Sequence, residues 1–145
     1  MKRRDAVRLA GTAAATGLAG CTTPFGSSPD LSLIVENYRS EPVELLIEIV
    51  RSDATDRSEG LLHRETAEIP ADAVGDDRWR SDGVAPARPC RIEVGVGIEE
   101  ATYHYHYVPD CTGTEAAYEP RVTLVLDADP GVAFGQSTCP DGGIP

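Results

Sequence analysis

From Leu31 onward, apolar and polar positions alternate with a period of two, and helical periodicity is hard to find. Leu31, Leu33 and Val35 lie on one side of a first strand that stops at Asn37-Tyr38. After a turn at Glu41-Pro42, Val43, Leu45, Ile47 and Ile49 alternate with Glu44, Leu46 and Glu48, the pattern of a half-buried strand. Residues 51–60 are polar and end in Gly60, a weaker strand runs from Leu61 to Ile69, and Pro70 stops it. Residues 71–89 contain Gly75, Gly83, Pro86, Pro89 and the single Trp, Trp79, so they read as a long connection or an irregular edge.

Next, Ile92, Val94, Val96 and Ile98 alternate with Glu93, Gly95, Gly97 and Glu99, and Tyr103 to Val108 follow a short turn. A hairpin closed by Ile98 and Tyr103 pairs Val96 with Tyr105, Val94 with Tyr107, His104 with Gly97 and His106 with Gly95. Both strands then agree on the apolar face. A last pair, Val122–Asp127 and Val132–Phe134, is joined by Ala128-Asp129-Pro130-Gly131. About seven short strands with turns between them predict an all-β, antiparallel two-sheet sandwich, immunoglobulin-like or cupredoxin-like, over residues 31–140, with 141–145 as a tail. The chain has no internal repeat, and its length suits one core.

The first 30 residues obey another rule. Lys2, Arg3, Arg4 and Arg8 precede a stretch at 9–20 that is apolar or small and uncharged, too short for the ~20 residues a membrane-spanning helix needs. That order is expected of a signal peptide at 1–20. Arg3-Arg4 with a mild apolar run resembles a twin-arginine export signal, and Leu18-Ala19-Gly20-Cys21 resembles a lipobox, which implies cleavage before Cys21 and lipid on its sulfur. Residues 21–30 then read as a lipid-anchored tether rich in Pro, Gly and Ser.

Charge changes the picture further. The chain carries 13 Lys+Arg against 24 Asp+Glu. Four of those cations and Asp5 precede Cys21, so the chain from Cys21 onward has nine arginines, no lysine and a net charge of −14. Such acidity excludes nucleic acid as an expected partner, since that binding needs clustered cations. It leaves two readings: recruitment of basic partners or divalent cations, or solvation in concentrated salt, where a Debye length of ~3 Å at 1 M screens self-repulsion. Together with the lipobox, the acidic, lysine-free composition resembles the exported lipoproteins of halophilic archaea. The resemblance is specific over residues 1–30 and rests elsewhere on composition and strand pattern.

Three cysteines remain, Cys90, Cys111 and Cys139, which the strand order gathers at one end of the sandwich. Export into an oxidising compartment favours a disulfide. Cys111–Cys139 is the expected bridge, with Cys90–Cys111 as the rival. His104 and His106, two apart on a strand, share a face about 7 Å apart at Cα. They could hold copper or zinc if Cys90 or Glu93 supplied a third ligand. The cupredoxin loop of Cys, His and Met is absent, and the only Met is Met1. The plainer reading has both histidines filling space above Gly95 and Gly97. Tyr103, Tyr105 and Tyr107 form a stripe that suits a core or a stacking platform, and Trp79 suits a core plug or an exposed contact.

No Gly-x-Ser-x-Gly, His-Glu-x-x-His, phosphate-binding Gly loop or Cys-x-x-Cys occurs. The expectation is therefore a non-enzymatic binding or structural module without a cofactor. Lipid on Cys21 would anchor it to the outer face of the cell membrane, with another envelope protein as partner. The alternative is a copper, zinc or electron-transfer lipoprotein using His104, His106 and a cysteine.

Overall fold

The computed structural model describes residues 29–97, 99–111, 118–128 and 131–139. The export signal with Arg3 and Arg4, the anchor Cys21, nearly all of the tether and the 141–145 tail lie outside them. Eight strands are present among the described residues: β1 (Asp30–Asn37), β2 (Val43–Arg51), β3 (Leu61–Ile69), β4 (Trp79–Pro86), β5 (Cys90–Val96), β6 (Ala101–Tyr107), β7 (Arg121–Leu126) and β8 (Val132–Gln136). One helical turn, α1 (Arg57–Gly60), stands between β2 and β3. The strands form two four-stranded sheets, β4-β1-β7-β8 and β3-β2-β5-β6. The protein is a two-sheet β-sandwich.

The core lies between the sheets and is built from the alternating positions. Leu33, Val35, Leu124 and Leu126 from the first sheet meet Leu45, Ile47, Ile49, Ile92 and Val94 from the second, all fully buried. Burial of each such side chain stabilises by about 1.5–3 kcal/mol. Asn37, the only Asn, is buried at the end of β1 with its polar atoms satisfied. Its Nδ2 donates to the carbonyls of Glu41 and Pro70 at 3.0 and 2.8 Å, and its Oδ1 accepts from the Arg39 amide at 3.0 Å. One short polar side chain thus ties β1 to two connections.

Four expectations need correction. Among the described residues there are eight strands where about seven were expected, because the stretch 71–89, read as a long connection or an irregular edge, contains β4. That strand is an irregular edge: Leu31 faces Ala85 while Leu33 faces Ser81, so two steps along β1 match four along β4, and Gly83 takes φ +63° within the excess. The sheets are not wholly antiparallel, since β1 runs parallel to β7. No hairpin joins these two, so connectivity does not force them to run opposite ways.

The hairpin register is also displaced. Val94 pairs with Tyr103, Ile92 with Tyr105 and Cys90 with Tyr107, four residues from the expected partners. The turn comes earlier, after Val96, with Glu100 in the left-handed region at φ +48° and the Glu99 amide donating to the Val96 carbonyl at 3.1 Å. The expected closing residue Ile98 lies outside the described residues. A slide of four residues, like any even slide, preserves which face each side chain takes, so the apolar pattern could not reveal it. Finally, residues 51–60 are not merely a polar connection, because they contain α1.

The sandwich closes differently on its two sides. Where β6 meets β8, Tyr105 stacks on Phe134 with centroids 5.2 Å apart, and the Tyr105 hydroxyl donates to Gln136 Oε1 at 2.9 Å. Just beyond, Cys111 and Cys139 form the expected disulfide, with Cα atoms 5.3 Å apart. Where β3 meets β4, Ser81 Oγ donates to Glu65 Oε2 at 3.2 Å.

Candidate functional site

The outward positions of the second sheet carry its charge. Across the strands, Arg64 of β3 stands opposite Glu48 of β2, Glu48 opposite Glu93 of β5, and Glu93 opposite His104 of β6. Two carboxylates facing each other on adjacent strands repel. The opposition is relieved from above, where Arg57 of α1 reaches down and its Nη2 bonds both Glu48 and Glu93. Arg91 Nη2 completes the set, 2.7 Å from Glu93 Oε1.

Local sequence seats Arg57 there. Asp56 caps the turn, its Oδ1 accepting from the Ser58 amide at 2.8 Å. Gly60 closes it, because a Cβ at that position would lie 2.3 Å from Ala54 Cβ and 3.1 Å from Val50 Cγ1. Only a residue without a side chain lets α1 settle over β2.

Glu93 is 7% exposed, which is low for a charged group. Hydrogen bonding from Arg57 holds its carboxyl below the usual carboxylate range, against the opposing effect of burial. Arg57 in turn is pushed up by its bonds to Glu93 and Glu48. The arrangement is a lattice of paired charges rather than a set of free acids or bases.

The residues singled out by sequence fall into two groups. His104 and His106 point outward, as expected, but lie over Glu93 and Arg91 rather than over Gly95 and Gly97. His104 Nδ1 is 3.8 Å from Glu93 Oε1. Cys90 is fully buried on the opposite side of the same sheet. The sheet therefore separates Cys90 from the histidines with which it was grouped as a metal site. Glu93, the other suggested ligand, is engaged by two arginines. Among the described residues no cluster of three or more His, Cys, Asp and Glu is arranged to hold a metal ion.

Among the described residues Cys90 is the cysteine left outside the bridge, and burial pushes its thiol up to about 11. Tyr107 beside it is buried too, while Tyr103 and Tyr105 are half-buried against the core. Phe134 takes one ring face of Tyr105, so the stripe serves the core. Trp79 likewise packs against the core while half-buried.

His63, far from the other two histidines in sequence, has Nε2 3.0 Å from the same Glu65 Oε2 that Ser81 uses. The carboxylate sits in the middle, so the serine meets the acid rather than the histidine, unlike the serine–histidine–acid order of hydrolases.

Sequence reasoning missed Arg57, which organises this face. The available signal was indirect: glutamates at outward positions of two strong strands, Glu48 and Glu93, need a counterion if those strands pair.

No protein-family model matches the chain, and no curated protein matches it. Among solved structures it is similar to a protein from Bacteroides ovatus, provisionally named a cell adhesion protein. Identity is 9%, the TM-score is 0.37, and the likeness covers 74% of this chain and 42% of that one. This chain thus spans less than half the length of that protein. A likeness of this order bears on neither ligand nor partner.

Proposed function

We propose that this chain is an exported lipoprotein in which the β-sandwich acts as a non-enzymatic binding module at the outer face of the cell membrane. The observation that carries the reading is the Cys111–Cys139 disulfide, which suits a domain matured in an oxidising compartment. The sequence adds a basic, short apolar, small-small-Cys order leading to Cys21. β1 begins nine residues beyond Cys21, so the tether extends at most roughly 30 Å and the domain works close to the lipid surface. The lysine-free, acid-rich surface suits concentrated salt, as in exported lipoproteins of halophilic archaea. Binding rather than catalysis is favoured because the carboxylates at the most organised site are neutralised by arginines. The envelope partner would meet the sandwich through an exposed face.

The test is the native intact mass of protein extracted from membranes, before and after reduction. The expected species starts at Cys21, carries added lipid, gains two mass units on reduction and holds no stoichiometric metal. A soluble species retaining residues 1–20 would overturn the anchoring. Stoichiometric copper or zinc would overturn the metal-free module.

A further inference from the structure

The second sheet bears a cleft of about 400 Å³ where the β2–α1 connection rises over β5 and β6. Arg51, Ser52, Thr55, Arg57, Arg91 and His106 line it, over an apolar floor of Val50 and Ala54. No carboxylate is among the lining residues, although the chain has 24 of them. Three other concavities on the described surface each include at least one acidic side chain: Glu44 and Glu100 in one, Glu41 and Asp72 in the next, Asp53 in the third. Arg51, Arg57 and Arg91 are a third of the nine arginines beyond residue 8.

The carboxylates that hold these arginines use few of their donors. Glu48 and Glu93 both meet Arg57 at Nη2, Glu93 meets Arg91 at Nη2, and Asp53 meets Arg51 at Nε. A guanidinium has five N–H donors in a rigid fork. The ion pairs therefore leave donor groups on all three while holding Arg57 and Arg91 in place. Arg91 Nε is buried with no hydrogen-bond partner among the described residues, a costly condition that a ligand oxygen would relieve.

We propose that this cleft is an oxyanion site that binds a phosphate or sulfate group, singly esterified or free. Three guanidiniums lining one cleft match a tetrahedral group with three terminal oxygens better than a planar carboxylate with two. Ser52 and Thr55 add hydroxyls, and His106 adds a ring N–H. Such a site goes beyond the binding-module reading by naming a ligand chemistry, and it holds whether or not the chain is lipid-anchored. The group can belong to a phospholipid headgroup or to a soluble ester.

The experiment is calorimetric titration of the full-length protein, purified in detergent, with inorganic phosphate at fixed ionic strength. One saturable site is expected. Arg51→Gln with Arg91→Gln should weaken it at least tenfold. Thr55→Glu should do the same while leaving every arginine pair intact, so a folding defect in the double variant would not obscure the answer. Arg78→Gln, outside the cleft, should leave affinity unchanged. Absence of saturable binding to the parent protein overturns the proposal, as does equal affinity in Thr55→Glu. Competition by phosphatidylcholine vesicles containing phosphatidic acid, but not by phosphatidylcholine alone, assigns the group to a headgroup. Phosphate binding without such competition assigns it to a soluble ester, and both results support the site.

Discussion

The two outer faces of the sandwich solve one problem in opposite ways. Across the middle of the first sheet the outward row is Arg80, Ile34, Thr123 and Gly135. Ile34 points away from the core yet is only 3% exposed. Across the second sheet the matching row is Arg64, Glu48, Glu93 and His104. A central strand pair is crowded in either case, and whatever stands there loses water. The first sheet meets that with an apolar side chain. The second places two opposed glutamates there and recruits Arg57 from α1 as counterion. A face of paired ions is sensitive to pH and to ligands; an apolar face is not. The difference therefore locates the responsive surface on the second sheet.

The largest expected effect breaks the quiet face. Ile34→Asp places an unpaired carboxylate at a buried position and should cost about 3–5 kcal/mol, read as a lower denaturation midpoint. If the loss is under about 1 kcal/mol, the first sheet's outer face is not protected as its burial implies.

Glu93→Ala comes next. It leaves Arg91 and part of Arg57 without their partner and should cost roughly 1–3 kcal/mol by the same measurement. Glu93→Gln, which keeps the shape and some hydrogen bonding, should cost less. Equal losses for the two would show that the charge alone, not side-chain volume or neutral hydrogen bonding, matters at this position.

The smallest effect is the acid response. The Glu93 carboxyl titrates below its ordinary value in the folded state, so the unfolded chain takes up its proton first as pH falls. Its stabilisation is present above the ordinary carboxylate range, near pH 4.5, and is lost as pH falls through the lowered value. Denaturation of the parent protein and of Glu93→Gln across pH 6 to 3 should converge toward the acid end. Parallel curves would remove Glu93 from the account.

Much of the fold was legible because burial imposes a period of two. The inward residues of β1, β2 and β5 are the ones the alternation marks, and the disulfide is the expected pair among the three cysteines that strand order gathers. The site was less legible. Arg57 sits in a polar stretch whose single helical turn lacks any periodic signal, and its reach to Glu48 and Glu93 depends on Gly60 letting α1 settle. The relation of Cys90 to His104 and His106 was misjudged as a possible cluster, since the three are close in strand register but separated by the sheet itself.

By itself the sequence determined the two-sheet class, the inner and outer faces of β1, β2, β5 and β6, and the acidic, lysine-free composition from Cys21 onward. Those properties stem from local alternation and composition, which need no knowledge of neighbours. Tertiary structure alone decided the parallel pairing of β1 with β7, the four-residue slide of the β5–β6 hairpin and the gathering of Arg51, Arg57, Arg91 and His106 at one cleft. Pairing direction, register in steps of two and contacts between distant segments leave the hydrophobic pattern unchanged, and only packing distinguishes among them.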